Sequence, residues 1–154
     1  MAGALDGYLV VDFTEGLCGP FASMRLSDAG ASVIKVEPIT GDASRRMGPP
    51  FVGTESALFL SLNRNKKSVA LDVRTPAGSA IARELIRSAD VVLEDFGPGE
   101  AGNLGFGYAE VGKNDPALVY CSISPFGEAG RLQRQPGSEL VVQAMADYTR
   151  SLGG

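Results

Sequence analysis

The sequence contains no histidine, and this absence excludes more chemistry than any single residue admits. Ser-His-Asp and Cys-His relays need an imidazole base, and most zinc sites need an imidazole ligand. Cysteine is nearly as scarce: Cys18 and Cys121 form no C-x-x-C pair and cannot build a disulfide framework, which points to a reducing cytoplasm. Nowhere do about 18 apolar residues run together, and Met1–Asp6 lacks a basic segment leading into an apolar core. The expectation is a cytoplasmic protein with no membrane partner. Long runs of one charge are also missing, and a net charge of −4 disfavours a broad nucleic-acid surface while permitting a local basic pocket. The first turn lacks G-x-G-x-x-G, and G-x-x-x-x-G-K-[ST] does not occur. Gly16 and Gly19 are spaced G-x-x-G, so a nicotinamide or flavin dinucleotide is disfavoured.

What is present is the material of one globular α/β unit: 154 residues, 44% hydrophobic and 21% charged. Five short apolar runs, Leu9–Phe13, Ser32–Val36, Ser68–Asp72, Asp90–Glu94 and Leu118–Ser122, are continuous and rich in Val and Ile. That pattern suits strands buried on both faces of a parallel sheet, and the segments between them read as the helical crossovers such strands require. Pro20–Ala29 reads as a helix with Pro at its first position and Gly30 as its stop. Thr75-Pro76 opens the clearest helix, with Ala80, Ile81, Glu84, Leu85 and Arg87 in an amphipathic pattern. Tyr108–Asn114 is a shorter helical segment, and Ser138–Leu152 carries Leu140, Val141, Ala144, Met145 and Tyr148 at helical spacing before Gly153-Gly154. The result is a doubly wound, Rossmann-like, mainly parallel α/β fold whose ligand should lie beyond the C-terminal ends of the strands.

Four strand ends therefore become candidates: Thr14–Cys18, Glu37–Arg46, Asp72–Arg74 and Glu94–Gly99. The Glu37–Glu55 connection is long enough to carry function. Asn63–Ser68, with Arg74 beyond it, is the densest positive patch; it serves either as ordinary solvated charge or as a seat for a phosphorylated ligand. Cys18 falls at a helix start but has no base, so it reads as a small packing residue. Glu139 opens the last helix, where a carboxylate complements the dipole. No metal site is expected.

Taken together, several of these stretches carry a family pattern. They are Val11–Thr14 with Gly19–Ala22, Gly30–Pro38, Gly41-Asp42, Gly48–Phe51, Leu62–Ser68, Leu71-Asp72, Thr75–Gly78, Ala89–Val92, Phe96–Gly99, Leu104-Gly105, Cys121–Ser124 and Pro136–Ala144. In that order they resemble the N-terminal portion of class III coenzyme A transferases, the formyl-CoA transferase and carnitine CoA-transferase family.

The resemblance implies a CoA-binding half, residues 1–137, followed by the start of a connecting helix, 138–154. It implies an enzyme that moves CoA from an acyl-CoA to a free carboxylic acid, with acyl-CoA as substrate, no tightly bound cofactor, and an interlocked homodimer. The CoA-contacting positions it implies are Leu17 and Cys18, then Leu71, Asp72, Val73 and Arg74, then Asp95, Phe96 and Gly97. An aspartate that forms a mixed anhydride with the acyl group lies well beyond Glu139 in the family, so no catalytic residue is assigned to this chain, which alone would be inactive. Two positions depart from the pattern: Pro38 and Asn103 replace basic residues of some members, which shifts phosphate binding toward Arg45, Arg46, Arg64, Lys66, Lys67 or Arg74. Ser138 stands where the related acyl-CoA racemases place a histidine. The alternatives are a non-catalytic CoA- or nucleotide-binding module and a racemase-type relative.

Overall fold

A computed structural model describes residues 3–113, 115–135 and 137–148. Five strands, β1 (Leu9–Asp12), β2 (Ser32–Glu37), β5 (Lys66–Ala70), β6 (Val91–Glu94) and β7 (Val119–Ser122), form one sheet in the order β5-β2-β1-β6-β7. All four pairings are parallel, with Val11 opposite Ile34 on one side and Val92 on the other. The order reverses at β1, so the crevice between the ends of β1 and β6 is the switch point at which such sheets receive ligands.

Both faces are covered, as continuous apolar strands require. Val10, Val33 and Leu93 point toward α1 (Cys18–Asp28), where Ala22 and Leu26 join them. Val11, Val36 and Val92 point the other way, against Ala82 and Ile86 of α3 (Pro76–Arg87) and Phe106. The alternation of Val10 with Val11 and of Val92 with Leu93 divides one run between two cores.

The helix starts follow local chemistry. Thr75 caps α3, its Oγ1 accepting from Gly78 N at 3.1 Å, with Pro76 at the first position. The buried side of α3 is Gly78, Ser79, Ala82 and Ile86, whereas Ile81 stays half exposed. Helix α1 begins at Cys18, two residues before the expected start, so Pro20 is third in the helix. Any of the first four N–H groups lacks an acceptor inside the helix, and Pro is tolerated there for the same reason as at the first position. Gly19 is required by packing, because a Cβ there would lie 2.2 Å from the Thr14 side chain.

The third strand runs from Lys66 to Ala70, not from Ser68 to Asp72. It is the sheet edge and largely exposed, so its apolar residues do not mark its limits; Leu71 leaves the sheet to pack against the core. The Glu37–Glu55 connection holds a 3₁₀ turn (Ala43–Arg46) and the start of a hairpin, β3 (Phe51–Val52) with β4 (Glu55–Ser56), which leads into α2 (Ala57–Leu62). Two short helices, α4 (Glu100–Asn103) and α5 (Tyr108–Val111), precede β7. The expected end of α5 at Asn114 falls outside the described residues. Helix α6 spans Glu139–Met145 and ends at its C-cap Ala146, with Asp147 at φ +58, so it is shorter than the run to Leu152 that the spacing predicts; the expected stretch 149–152 lies outside the described residues.

Candidate functional site

The C-terminal edge of the sheet carries a cleft of about 210 Å³, lined by Phe13 and Glu15 after β1, Val36–Thr40 at the end of β2, Leu71–Arg74 after β5, and Phe96 after β6. Its floor is aromatic. Phe13 and Phe96 lie 6.0 Å apart between ring centres, and both contact Phe106, at 5.4 and 5.7 Å. The cleft is also lined by the charged residues Glu15, Glu37, Asp72 and Arg74.

The first loop is fixed by charges below it. Asp12 is fully buried; its Oδ1 accepts from Thr14 N at 3.0 Å and from the Thr14 hydroxyl, and its Oδ2 accepts from the Ser23 hydroxyl. Lys66 Nζ pairs with Asp12 at 3.2 Å and donates to Pro20 O and Asn63 Oδ1. Burial pulls this ammonium down to about 8, against the attraction of Asp12. Lys35, also buried, donates to Thr14 O at 2.6 Å and sits 2.8 Å from Asp42 Oδ2, an ion pair without hydrogen-bond alignment. Asp42 Oδ1 accepts from Gly16 N at 3.3 Å, Ser44 N at 2.8 Å and the Ser44 hydroxyl at 2.7 Å. Burial alone would raise Asp42, but Lys35 and Ser44 outweigh it and hold the carboxyl below its usual range.

Glu37 makes the second anchor. Arg45 grips it through Nε and Nη2, each at 2.7 Å, Ser68 donates at 2.6 Å, and Asp42 N at 2.9 Å. Burial raises this carboxyl, yet the Arg45 guanidinium and the other donors prevail and hold it at about 2. Arg45 also reaches Glu55 and covers the Phe59 ring at 3.8 Å.

Asp95 closes the crevice from the other side, accepting from Glu15 N at 3.0 Å. Burial pushes it up to about 6, the Glu15 N–H acting downward and the Glu15 and Asp12 charges upward.

Of the expected contact positions, Leu71, Asp72, Val73, Arg74 and Phe96 line the cleft together, with Asp95 beneath its Glu15 wall. Gly97 lies next to Phe96, its N–H donating to Glu100 Oε2 at 3.3 Å. Leu17 and Cys18 stand apart from the lining, exposed at the start of α1, and Cys18 is a free thiol. Among the cations, Lys66 and Arg45 are bound internally and Arg64 pairs with Asp28 at 2.5 Å. Arg74 reaches Glu100 at 2.5 Å but remains largely exposed on the cleft, while Arg46 and Lys67 are exposed. Lys66 is thus neither solvated charge nor a free phosphate seat. Ser138 caps α6 by accepting from Val141 N at 3.4 Å. Sequence reasoning placed Glu37 at a candidate strand end but missed Lys35 as a site residue; the signal available was Lys35 and Glu37 alternating with Val36 at the end of an otherwise apolar strand.

Among the described residues no cluster of three or more acidic or cysteine side chains could hold a metal, and no helix is long and apolar enough to cross a membrane. The family pattern described as CoA-transferase family III matches residues 5–153. The succinyl-CoA:glutarate CoA-transferase of Mus musculus is 46% identical over 97% of this chain and 34% of its own length. The acetyl-CoA:oxalate CoA-transferase of Acetobacter aceti is 43% identical over 98% of this chain and 39% of its own. A solved CAIB/BAIF family protein from Brucella suis superposes with a TM-score of 0.90, at 38% identity over 96% of this chain and 40% of that one. The chain spans little more than a third of the length of these curated relatives.

Proposed function

The chain belongs to CoA-transferase family III, and from that premise we propose that it is the N-terminal CoA-binding part of an enzyme that moves coenzyme A from an acyl-CoA to a free carboxylic acid. The observation that carries the reading is the cleft at the switch point, where Leu71–Arg74 and Phe96 meet the loops after β1 and β2. The exposed Arg74 guanidinium suits a phosphorylated ligand, and the aromatic floor suits its apolar portion.

In the proposed reaction an aspartate supplied from beyond Gly154 attacks the thioester carbonyl. The C–S bond breaks and CoA leaves as thiolate, giving a mixed anhydride. The thiolate then attacks the aspartyl carbonyl, releasing the first acid and leaving an enzyme thioester. The acceptor carboxylate displaces the thiolate to form a second mixed anhydride, and the thiolate attacks the acceptor's carbonyl, giving the new acyl-CoA and freeing the aspartate. Covalent relay divides one difficult exchange into easier ones. This chain binds and orients the coenzyme; it supplies no nucleophile and needs no bound cofactor or metal. We place it in the cytoplasm as half of an interlocked homodimer, with residues 138–154 beginning the connection to the rest.

The test is ligand-dependent stability. In a folded sample, CoA at a hundred times its dissociation constant raises the unfolding free energy by about 2.7 kcal/mol, and NAD does not. A melting scan in which CoA leaves a folded sample unchanged overturns the assignment.

A further inference from the structure

The buried ion pair under the first loop has a geometry beyond what folding requires. Two buried opposite charges are commonly replaceable by apolar groups without loss of stability, so their presence calls for a use. Here each partner reaches a different loop. Lys35 Nζ leaves β2 to hold Thr14 O, where β1 ends. Asp42 answers Lys35 with one oxygen and with the other takes Gly16 N, beside Ser44 N and the Ser44 hydroxyl. Gly16 sits at φ +76, a left-handed conformation that sets the direction of the chain after the cleft-lining Glu15. On the opposite side Glu15 N is held by Asp95. The walls of the cleft mouth come from these same loops, with Glu15 on one side, Ile39 and Thr40 on another, and Phe96 on the third.

We propose that Asp42 is a positioning residue for the coenzyme: through Gly16 N it clamps the Glu15–Gly16 loop against the loop after β2 and thereby sets the mouth of the cleft, while Lys35 neutralises its buried charge. The proposal rests on the CoA reading of that cleft. The clamp acts through Gly16 N and touches no ligand, so its removal lowers the fraction of chain in the binding-competent loop conformation and weakens affinity in proportion.

Two double variants separate positioning from mere stability. K35M/D42N removes both charges but keeps a carbonyl acceptor for Gly16 N; K35M/D42A removes both charges and the acceptor. With both folded, calorimetric titration with CoA is expected to give K35M/D42N within about threefold of the parent and K35M/D42A about tenfold weaker. Equal affinities in the two overturn the proposal. Where K35M/D42A does not fold, hydrogen exchange of the Gly16 amide in the unaltered chain decides: protection comparable with β1 supports the clamp, and exchange at a free-loop rate overturns it. If the unaltered chain binds no CoA while its Gly16 amide is protected, the coenzyme reading falls and the clamp stands.

Discussion

The loops over the C-terminal edge of the sheet and the chain after β7 are built on opposite plans. In the first, Asp12, Lys35, Glu37 and Asp42 are almost entirely buried and each is matched by named donors or acceptors. In the second, α6 leaves Leu140 73% and Met145 59% exposed. One region satisfies charges inside itself; the other holds apolar surface outside itself. The difference separates a region held by its own charge pairs from one whose helix presents apolar side chains to solvent.

The sharpest way to break the contrast is to strand one charge. Lys35→Met leaves Asp42 buried without its cation and is expected to cost about 3–5 kcal/mol in a urea titration. A loss below 1 kcal/mol would mean that water reaches Asp42 and that the region is not self-contained.

Acid probes the second anchor. Glu37 titrates from 4.5 in the open chain to about 2 in the folded one, so its contribution is complete above 4.5 and disappears as pH falls toward 2. That limb is worth about 3 kcal/mol. Glu37→Gln flattens it, which chemical denaturation at stepped pH values reads directly.

Asp95 acts with the opposite sign and a smaller effect. Its folded value is raised from 3.8 to about 6, so its contribution is complete below 3.8 and declines as pH rises through 6. Asp95→Asn is expected to remove that decline in the same experiment, and a decline that survives the substitution assigns it elsewhere.

The smallest effect belongs to the other region. Leu140→Ser exchanges an exposed side chain for a polar one and changes the chain's stability by less than about 0.5 kcal/mol. A cost above 1 kcal/mol would place α6 against the body of the domain.

The central strands were legible because they are buried on both faces, so Leu9–Phe13, Ser32–Val36 and Asp90–Glu94 announce themselves as unbroken apolar runs near the observed β1, β2 and β6, while Leu118–Ser122 marks the partly exposed edge strand β7. The third strand slipped by two residues because an exposed edge imposes no apolar rule on Lys66 and Lys67. Thr75-Pro76 fixed the start of α3 through cap chemistry, which is local. The family motifs directed attention to the cleft-lining Leu71–Arg74 and Phe96. The charges beneath the cleft were not legible, since pairing Lys66 with Asp12 spans 54 residues and depends on the strand order. A buried lysine and a solvated one are spelled identically. Only the fold tells Lys66 from Lys67.

The aromatic floor has a mechanical consequence. Phe13 and Phe96 face the cleft, but both rest on Phe106, which is fully buried in the core that also includes Ala82, Ile86 and Leu118. The cleft therefore has no foundation of its own; it is the upper surface of the packed interior. Close-packed interiors transmit displacement instead of absorbing it. A change of one methylene around Phe106 is passed upward to the rings on which a ligand would lie, so residues that never meet a ligand still set the level of the surface it meets.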